Sequence, residues 1–309
     1  MKNPILLLAF FLVPVCAFPQ NAALKNPAPK NAARPRILGI DHVAFYTTSP
    51  DGMKKLYGGT LGLGVADPIE SGEITRYMIG LQWVGYSPAP DPKATDRMDH
   101  VAFTTDNIVA LRRYLIGKGL KPTQIEGRSD HSLAFSLNDP EGHHIELVER
   151  GKTEAATAVA SAVSRHMIHT GFVVYHRDAE NHFYRDILGF RPYWHGHDKP
   201  DGPDDWVAIQ VPDGTDWLEY MLNQPEHMDL QLTGVMNHIS LGVADMKKTQ
   251  ALMEAHGWKP NGDEQAEIGK DGKWQLDVFD PDLTRVELME FKPVQKPCCS
   301  DFTGPHPAE

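Results

Sequence analysis

The sequence predicts an α+β protein built from four βαβββ units paired into two domains. Three observations carry this reading. Residues 40–47 read Ile-Asp-His-Val-Ala-Phe-Tyr-Thr and residues 98–105 read Met-Asp-His-Val-Ala-Phe-Thr-Thr, so an apolar strand with a histidine near its start is written twice. Met167-Ile168-His169-Thr170-Gly171-Phe172-Val173-Val174 and Met236-Asn237-His238-Ile239-Ser240-Leu241-Gly242-Val243 repeat the design, which makes four units. The endings alternate: Leu56-Tyr57 then Leu61-Gly62-Leu63 matches Phe183-Tyr184 then Leu188-Gly189-Phe190, whereas Gly119-Leu120-Lys121-Pro122 matches Gly257-Trp258-Lys259-Pro260. The order is therefore A, B, A′, B′, a two-unit domain duplicated.

Each unit opens on its strand and continues into a helical stretch. In the second unit Ile108, Leu111 and Leu115 fall on one face of a helix over residues 107–118, and Gly119 ends it. Alternating runs follow at Leu133–Leu137 and His144–Val148, parted by the turn Asn138-Asp139-Pro140-Glu141-Gly142. A lone sheet of this size leaves an apolar face in water, so units pair: one with two, three with four.

The expected domains span residues 38–150 and 165–292, joined by a linker at 151–164 and followed by a tail at 293–309. Lys2 precedes the apolar run Ile5–Val13, and Val15-Cys16-Ala17 offers the small residues that signal peptidase accepts. A signal peptide over 1–17 is expected, with a secreted or periplasmic mature chain. The run is short for a membrane span, and Cys16 as a lipidated cysteine is the alternative. Residues 18–37, rich in Pro, Ala, Asn and Lys, read as a linker. With 41 acidic against 30 basic side chains, a net charge of -11 argues against nucleic acid as partner. Cys298 and Cys299 receive no role, because adjacent cysteines rarely meet disulfide geometry.

The strand-opening histidines, the stretch Phe183-Tyr184-Arg185-Asp186-Ile187-Leu188-Gly189-Phe190, and the Asp-Pro endings that reach Glu146 and Glu287 resemble the vicinal oxygen chelate superfamily. That superfamily includes glyoxalase I, bleomycin- and fosfomycin-resistance proteins, methylmalonyl-CoA epimerase and extradiol dioxygenases. The resemblance covers about residues 38–292. It implies a metal centre in the second domain on His169, Glu219, His238 and Glu287, with Glu219 and Glu287 as the carboxylates that move protons. In the first domain it implies a second set, His42, His100 and Glu146, with Gly85 where the other domain has Glu219. His144 points inward behind Glu146, and His143 points to the surface.

Two imidazoles with one or two carboxylates suit a divalent Fe, Mn, Ni, Zn or Co ion rather than Ca or Cu(I). No organic cofactor is indicated. Any one of these histidines taken alone is ordinarily a buried, hydrogen-bonded core residue, and a strand-ending Glu ordinarily faces solvent. Four residues at four expected positions in one domain outweigh that reading. His195 and His197 lie in a Gly-, Pro- and Asp-rich stretch, expected as an exposed loop over the cleft, and Trp83, Trp194, Trp206 and Trp217 read as core or cleft-wall aromatics.

The function expected is an exported metalloenzyme of the glyoxalase or epimerase type, transferring a proton on an oxygenated small molecule that chelates the metal. Residues 259–286 contain neither His nor Tyr, which weighs against the alternative of an extradiol dioxygenase. A non-catalytic protein that binds an antibiotic-like small molecule is the other alternative. Such a binder has no need of all four second-domain ligands.

Overall fold

The computed structural model describes residues 33–151, 159–261 and 265–309. The expected signal peptide and most of the linker at 18–37 lie outside these residues. Unit one runs β1 (Ile37–Thr47), α1 (Pro50–Met53) widened into a π-helical turn over Lys54–Thr60, β2 (Gly64–Ala66), β3 (Thr75–Ile79) and β4 (Gln82–Pro88). Unit two runs β5 (Met98–Thr105), α2 (Ile108–Gly117), β6 (Glu126–Gly127), β7 (Leu133–Asn138) and β8 (His144–Glu149). Unit three repeats the first as β9 (Met167–Val173), α3 (Arg177–Asn181) with a π-helical turn over His182–Ile187, β10 (Arg191–Gly196), β11 (Trp206–Gln210) and β12 (Trp217–Met221). A short α4 (Leu230–Met236) precedes unit four: β13 (His238–Val243), α5 (Met246–Ala255), β14 (Glu267–Ile268), β15 (Trp274–Phe279) and β16 (Arg285–Glu290). Every unit is βαβββ, as the repeat predicts.

Two eight-stranded sheets result, in the orders β2-β3-β4-β1-β5-β8-β7-β6 and β10-β11-β12-β9-β13-β16-β15-β14. Units join through their opening strands: β1 lies antiparallel to β5, and β9 antiparallel to β13. Each opening strand also runs parallel to the last strand of its own unit. The four histidine-bearing strands are therefore the central strands, where both neighbours can present side chains to the same spot.

The long helices form where capping and periodicity agree. Ile108, Leu111 and Leu115 are wholly buried under α2, and the Asn107 side chain accepts from Ala110 N at 3.0 Å. The chain leaves the helix through Gly119 at φ +89°, and α5 ends likewise at Gly257, φ +91°.

One apolar core runs through both halves. Phe103 packs edge-on against Phe190 with centroids 5.3 Å apart, and the Tyr114 hydroxyl donates to Ile187 O at 2.9 Å. Gln82 donates to Met167 O at 2.9 Å and accepts from Met167 N at 2.6 Å. The described end of the expected linker is docked rather than loose: Val163 is buried, its N–H donates to Leu61 O, and Ser164 Oγ donates to Gly242 O at 2.7 Å. His143, expected at the surface, stacks on Phe172 of the other half at 4.0 Å, because the two halves press together at that turn. None of the described helices is long and apolar enough to cross a membrane.

Candidate metal centres

Strand register builds the second-domain site in two rows. Glu219 on β12 lies opposite Gly171 on β9, which lies opposite His238 on β13. Two residues along the strands, Trp217 lies opposite His169, His169 opposite Ser240, and Ser240 opposite Glu287. Period-two alternation sends both rows to one face. Nε2 of His169 lies 3.1 Å from Nε2 of His238, 3.2 Å from Glu287 Oε2 and 3.8 Å from Glu219 Oε2, and His238 Nε2 lies 3.5 Å from Glu219 Oε2. His169, Glu219 and His238 bring their ligand atoms within 4.8 Å of one another. Glu287 approaches through His169 without joining that group.

The electrostatics favour neutral imidazoles. Burial, with the charges of His238 and Arg285, pushes His169 well below the usual histidine range; burial and Arg285 lower His238. The His238 Nδ1 lies 2.8 Å from Met236 O, an acceptor only, so its proton sits there and the Nε2 lone pair faces the site, where Arg285 Nη2 donates at 3.0 Å. Burial raises the Glu287 carboxyl to about 8 against the opposing Arg285 charge, and its Oε2 is buried with no hydrogen bond. Lys273 is wholly buried, its Nζ 3.7 Å from Asp271 and 4.4 Å from the centre of the Trp217 ring, and burial lowers its pKa.

Glu219, Arg285 and Glu287 open onto a cavity of about 120 Å³ with Tyr193, Trp217 and Phe302 among its walls. Phe302 comes from the C-terminal tail, which runs along β10, the outermost strand of its sheet. Thr303 N donates to Tyr193 O and His195 N to Ser300 Oγ, each at 2.9 Å. The Tyr193 hydroxyl meets His306 Nδ1 at 2.7 Å. His195 belongs to β10 itself rather than to a loop, and its Nδ1 pairs with Asp204 at 2.7 Å. His197 follows the strand beside Cys298 and Cys299, which are joined as a vicinal disulfide. The bridge corrects the expectation of two idle cysteines; Cys299 reaches it in the left-handed region, at φ +74°.

The first domain repeats the rows: Trp83, His42, Ala102 and Glu146 in one, Gly85, Ala44 and His100 in the other. Register thus puts Gly85 where the second domain has Glu219. A carboxylate reaches the site nonetheless. Glu70, from the loop before β3, joins His42, His100 and Glu146 in a group whose ligand atoms all lie within 4.8 Å of one another. Nothing in a strand pattern marks a loop carboxylate, so the sequence offers no signal for Glu70.

The repeated Asp of Asp-His-Val-Ala-Phe explains itself here. Asp41 lies 2.8 Å from His42 Nδ1 and Asp99 3.2 Å from His100 Nδ1. Burial opposes charging these rings, but Asp41 and Glu70 raise His42, and Asp99 and Glu70 raise His100. Arg128 pairs with Glu70 Oε1 at 2.6 Å and with Glu146. His144 is half-buried with its ring 5.4 Å from that of His100, and burial and the His100 charge lower it. In both domains the opening histidine stacks on its register partner, His42 on Trp83 at 3.8 Å and His169 on Trp217 at 4.6 Å.

A metal fits the second-domain donors on the strength of their own chemistry. Two neutral rings and Glu219 bring their ligand atoms within 4.8 Å of one another, with the Glu287 carboxylate beside them at 3.2 Å from His169 Nε2.

Among families of known proteins, the chain matches the Glyoxalase/Bleomycin resistance protein/Dioxygenase superfamily over residues 39–147 and 166–288. Among solved structures it is similar to the 2,3-dioxygenase LapB from Pseudomonas sp. KL28, with a TM-score of 0.65 and 15% identity over 89% of this chain and 96% of that one. It is similar also to homoprotocatechuate 2,3-dioxygenase from Arthrobacter globiformis, with a TM-score of 0.62 and 15% identity over 86% and 83% of the two chains. The Mn(II)-bound glyoxalase from Novosphingobium aromaticivorans gives a TM-score of 0.61 and 16% identity over 83% of each chain. At such identities the likeness is one of fold. No curated protein matches the chain by sequence.

Proposed function

Because this chain belongs to the Glyoxalase/Bleomycin resistance protein/Dioxygenase superfamily, we propose that its second domain is a metal-dependent enzyme site for a small molecule that chelates through two neighbouring oxygens. One observation carries the reading: His169, Glu219 and His238 converge within 4.8 Å beside the aromatic-walled cavity onto which Glu219 and Glu287 open. His169, His238 and Glu219 would hold the ion. A divalent metal there supplies a Lewis acid for negative charge developing on the chelated oxygens.

The chain's own groups handle the proton. Glu287, with a carboxyl near 8, exchanges protons close to neutral pH and takes one from the carbon beside the substrate carbonyl, returning it to the neighbouring carbon. Arg285 supplies fixed positive charge next to the reacting oxygens, while Lys273 lies over the Trp217 ring at 4.4 Å. The aromatic walls bury the rest of the substrate and exclude water.

Ring cleavage of an aromatic diol is the second reading. It gains from one observation: the tail brings His306 to Tyr193 at the cavity wall, a His and a Tyr that residues 259–286 lack. The two readings part in one experiment on metal-loaded protein. Proton exchange into α-hydroxycarbonyl compounds in deuterated water, without oxygen uptake, supports the isomerase type; oxygen uptake with catechols supports ring cleavage. Failure of both with a panel of each class would remove the enzymatic reading.

We also propose export, on the strength of Lys2, the Ile5–Val13 core and Ala17. N-terminal sequencing of native protein should begin near Phe18, and an intact Met1 would reject it.

A further inference from the structure

We propose that Cys298 and Cys299 form a redox-active pair, opened by an external dithiol, whose bridged state holds the C-terminal tail over the second-domain cavity. The bridge is no staple. A disulfide stabilises a fold more the longer the loop it closes, and a bond between chain neighbours closes none. What it holds is local. Cys299 stands in the left-handed region at φ +74°, where a side chain is crowded and glycine is the ordinary occupant. Once the sulfurs part, that residue is free to return to the extended region.

Both sides of the bridge grip the cavity wall. Cys298 N donates to Lys270 O at 2.8 Å, and its carbonyl accepts from Trp194 Nε1 at 3.3 Å and from Ser300 N at 2.8 Å. Ser300 Oγ accepts from His195 N at 2.9 Å and donates to His195 O at 3.0 Å, and Thr303 N donates to Tyr193 O at 2.9 Å. Lys270, Trp194 and Tyr193 line the cavity together with Phe302, which the tail delivers between Ser300 and Thr303. A turn of Cys299 away from the left-handed region breaks the line from Cys298 to Ser300 and takes Phe302 off the wall.

The chemistry is thiol exchange. Cys299 is exposed and Cys298 half-buried, so a dithiol reaches Cys299 Sγ first. Its thiolate forms a bond to Cys299 Sγ, the bond between the two cysteines breaks, and Cys298 leaves as a thiolate and takes up a proton. The reagent's second thiolate then attacks the reagent's own sulfur in the mixed disulfide. Cys299 is released and protonated, and the reagent, short of two electrons and two protons, closes on itself as a disulfide. His197 serves this exchange: its backbone N–H donates to Cys299 Sγ at 3.4 Å, and a ring nitrogen lies within 4.8 Å of both sulfurs to pass the protons.

The test is amide hydrogen exchange of the full-length protein before and after dithiothreitol, with thiols counted by a chromogenic reagent. Reduction under native conditions should add two titratable thiols to those already present. It should speed exchange at Cys298, Ser300 and Thr303 about tenfold, the effect expected when a left-handed residue with a side chain is set free, and leave β9 and β13 unchanged. Cys298→Ser with Cys299→Ser should exchange like the reduced parent and ignore the dithiol. Cys298→Ser with Cys299→Gly, which takes the left-handed turn without a clash, should exchange like the oxidised parent. No gain of thiols short of denaturation, or a tail equally protected in the oxidised, reduced and double-serine proteins, overturns the proposal. So does faster exchange in β9 and β13, since the bridge would then be a staple of the whole fold. Any effect on turnover rests on the metal-enzyme reading above; the exchange rates and thiol counts do not, so the two readings fail separately.

Discussion

Gly171 and His238 occupy the same space: a Cβ on Gly171 would lie 2.3 Å from Cε1 and 2.8 Å from Nδ1 of the His238 ring. The two residues are direct register partners on β9 and β13, so neither can step aside along the strand. The absent side chain is what allows an imidazole to lie across the opening strand toward Glu219.

Gly171→Ala should therefore evict the ring. The expected result is a loss of second-site metal affinity of at least tenfold. Overpacking in so tight a sheet should also cost about 1–3 kcal/mol of stability. Metal titration and urea unfolding measure the two separately. An unchanged metal affinity would mean that His238 is not a ligand.

The tail closes an edge as well as a pocket. β10 ends its sheet, and the tail covers it through Tyr193 O, Pro192 O and His195 N. Deleting residues 297–309 should expose that edge and remove Phe302 from the cavity. Exposed edges pair with other chains, so concentration-dependent aggregation is expected by light scattering. A truncated protein that stays monodisperse and melts at the parent temperature would show the tail to be passive.

Most of the fold and the strand-borne residues of the two His and Glu clusters are legible in the sequence because both rest on period two. His42, His100, His169 and His238 open strands, Glu146 and Glu287 stand in closing ones, and alternation settles which way they point. The equivalence of Gly85 and Glu219 follows from the same register, opposite Ala44 and Gly171. Glu70, Arg128 and His306 escape because loop and tail residues obey no period; their place depends on how the chain returns. Glu70 reaches His42 from 28 positions along the chain only because Glu73 anchors its loop. His143 misled for a related reason, since alternation describes the faces of one sheet and not the other half packed against it.

Arg285 is the cation that competes for the second site. Its Nη2 donates to His238 Nε2 at 3.0 Å, the lone pair a metal would use, and its Nη1 pairs with Asp277 at 3.5 Å. Replacing it with an uncharged chain of similar reach removes both the competitor and a like charge. Arg285→Met should tighten metal binding about tenfold, equivalent to roughly 1.4 kcal/mol. It should also slow turnover if Arg285 steadies charge on the substrate. Calorimetric titration with Mn(II) reads the first effect; weaker binding in the variant would show that Arg285 orders the site instead.

The pH dependence of stability should carry the mark of Asp280, the turn residue before β16. Its Oδ1 accepts from Asp282 N and Thr284 N at 2.9 Å each, while Oδ2 is buried without a partner. Burial dominates and lifts its pKa from 3.8 to about 7, the nearby Asp282 adding to the rise. The folded state therefore keeps a proton that the unfolded state has released. The sign follows from linkage: this contribution is full below about pH 4 and is lost as pH climbs toward 7. Asp280→Asn keeps the Oδ1 acceptor and cannot ionise, so its urea midpoint should fall less than that of the parent between pH 4 and 7, and the variant should be the more stable at pH 8. Parallel curves across that range would mean that Asp280 is ionised in the folded protein, with the turn carrying its charge at no cost.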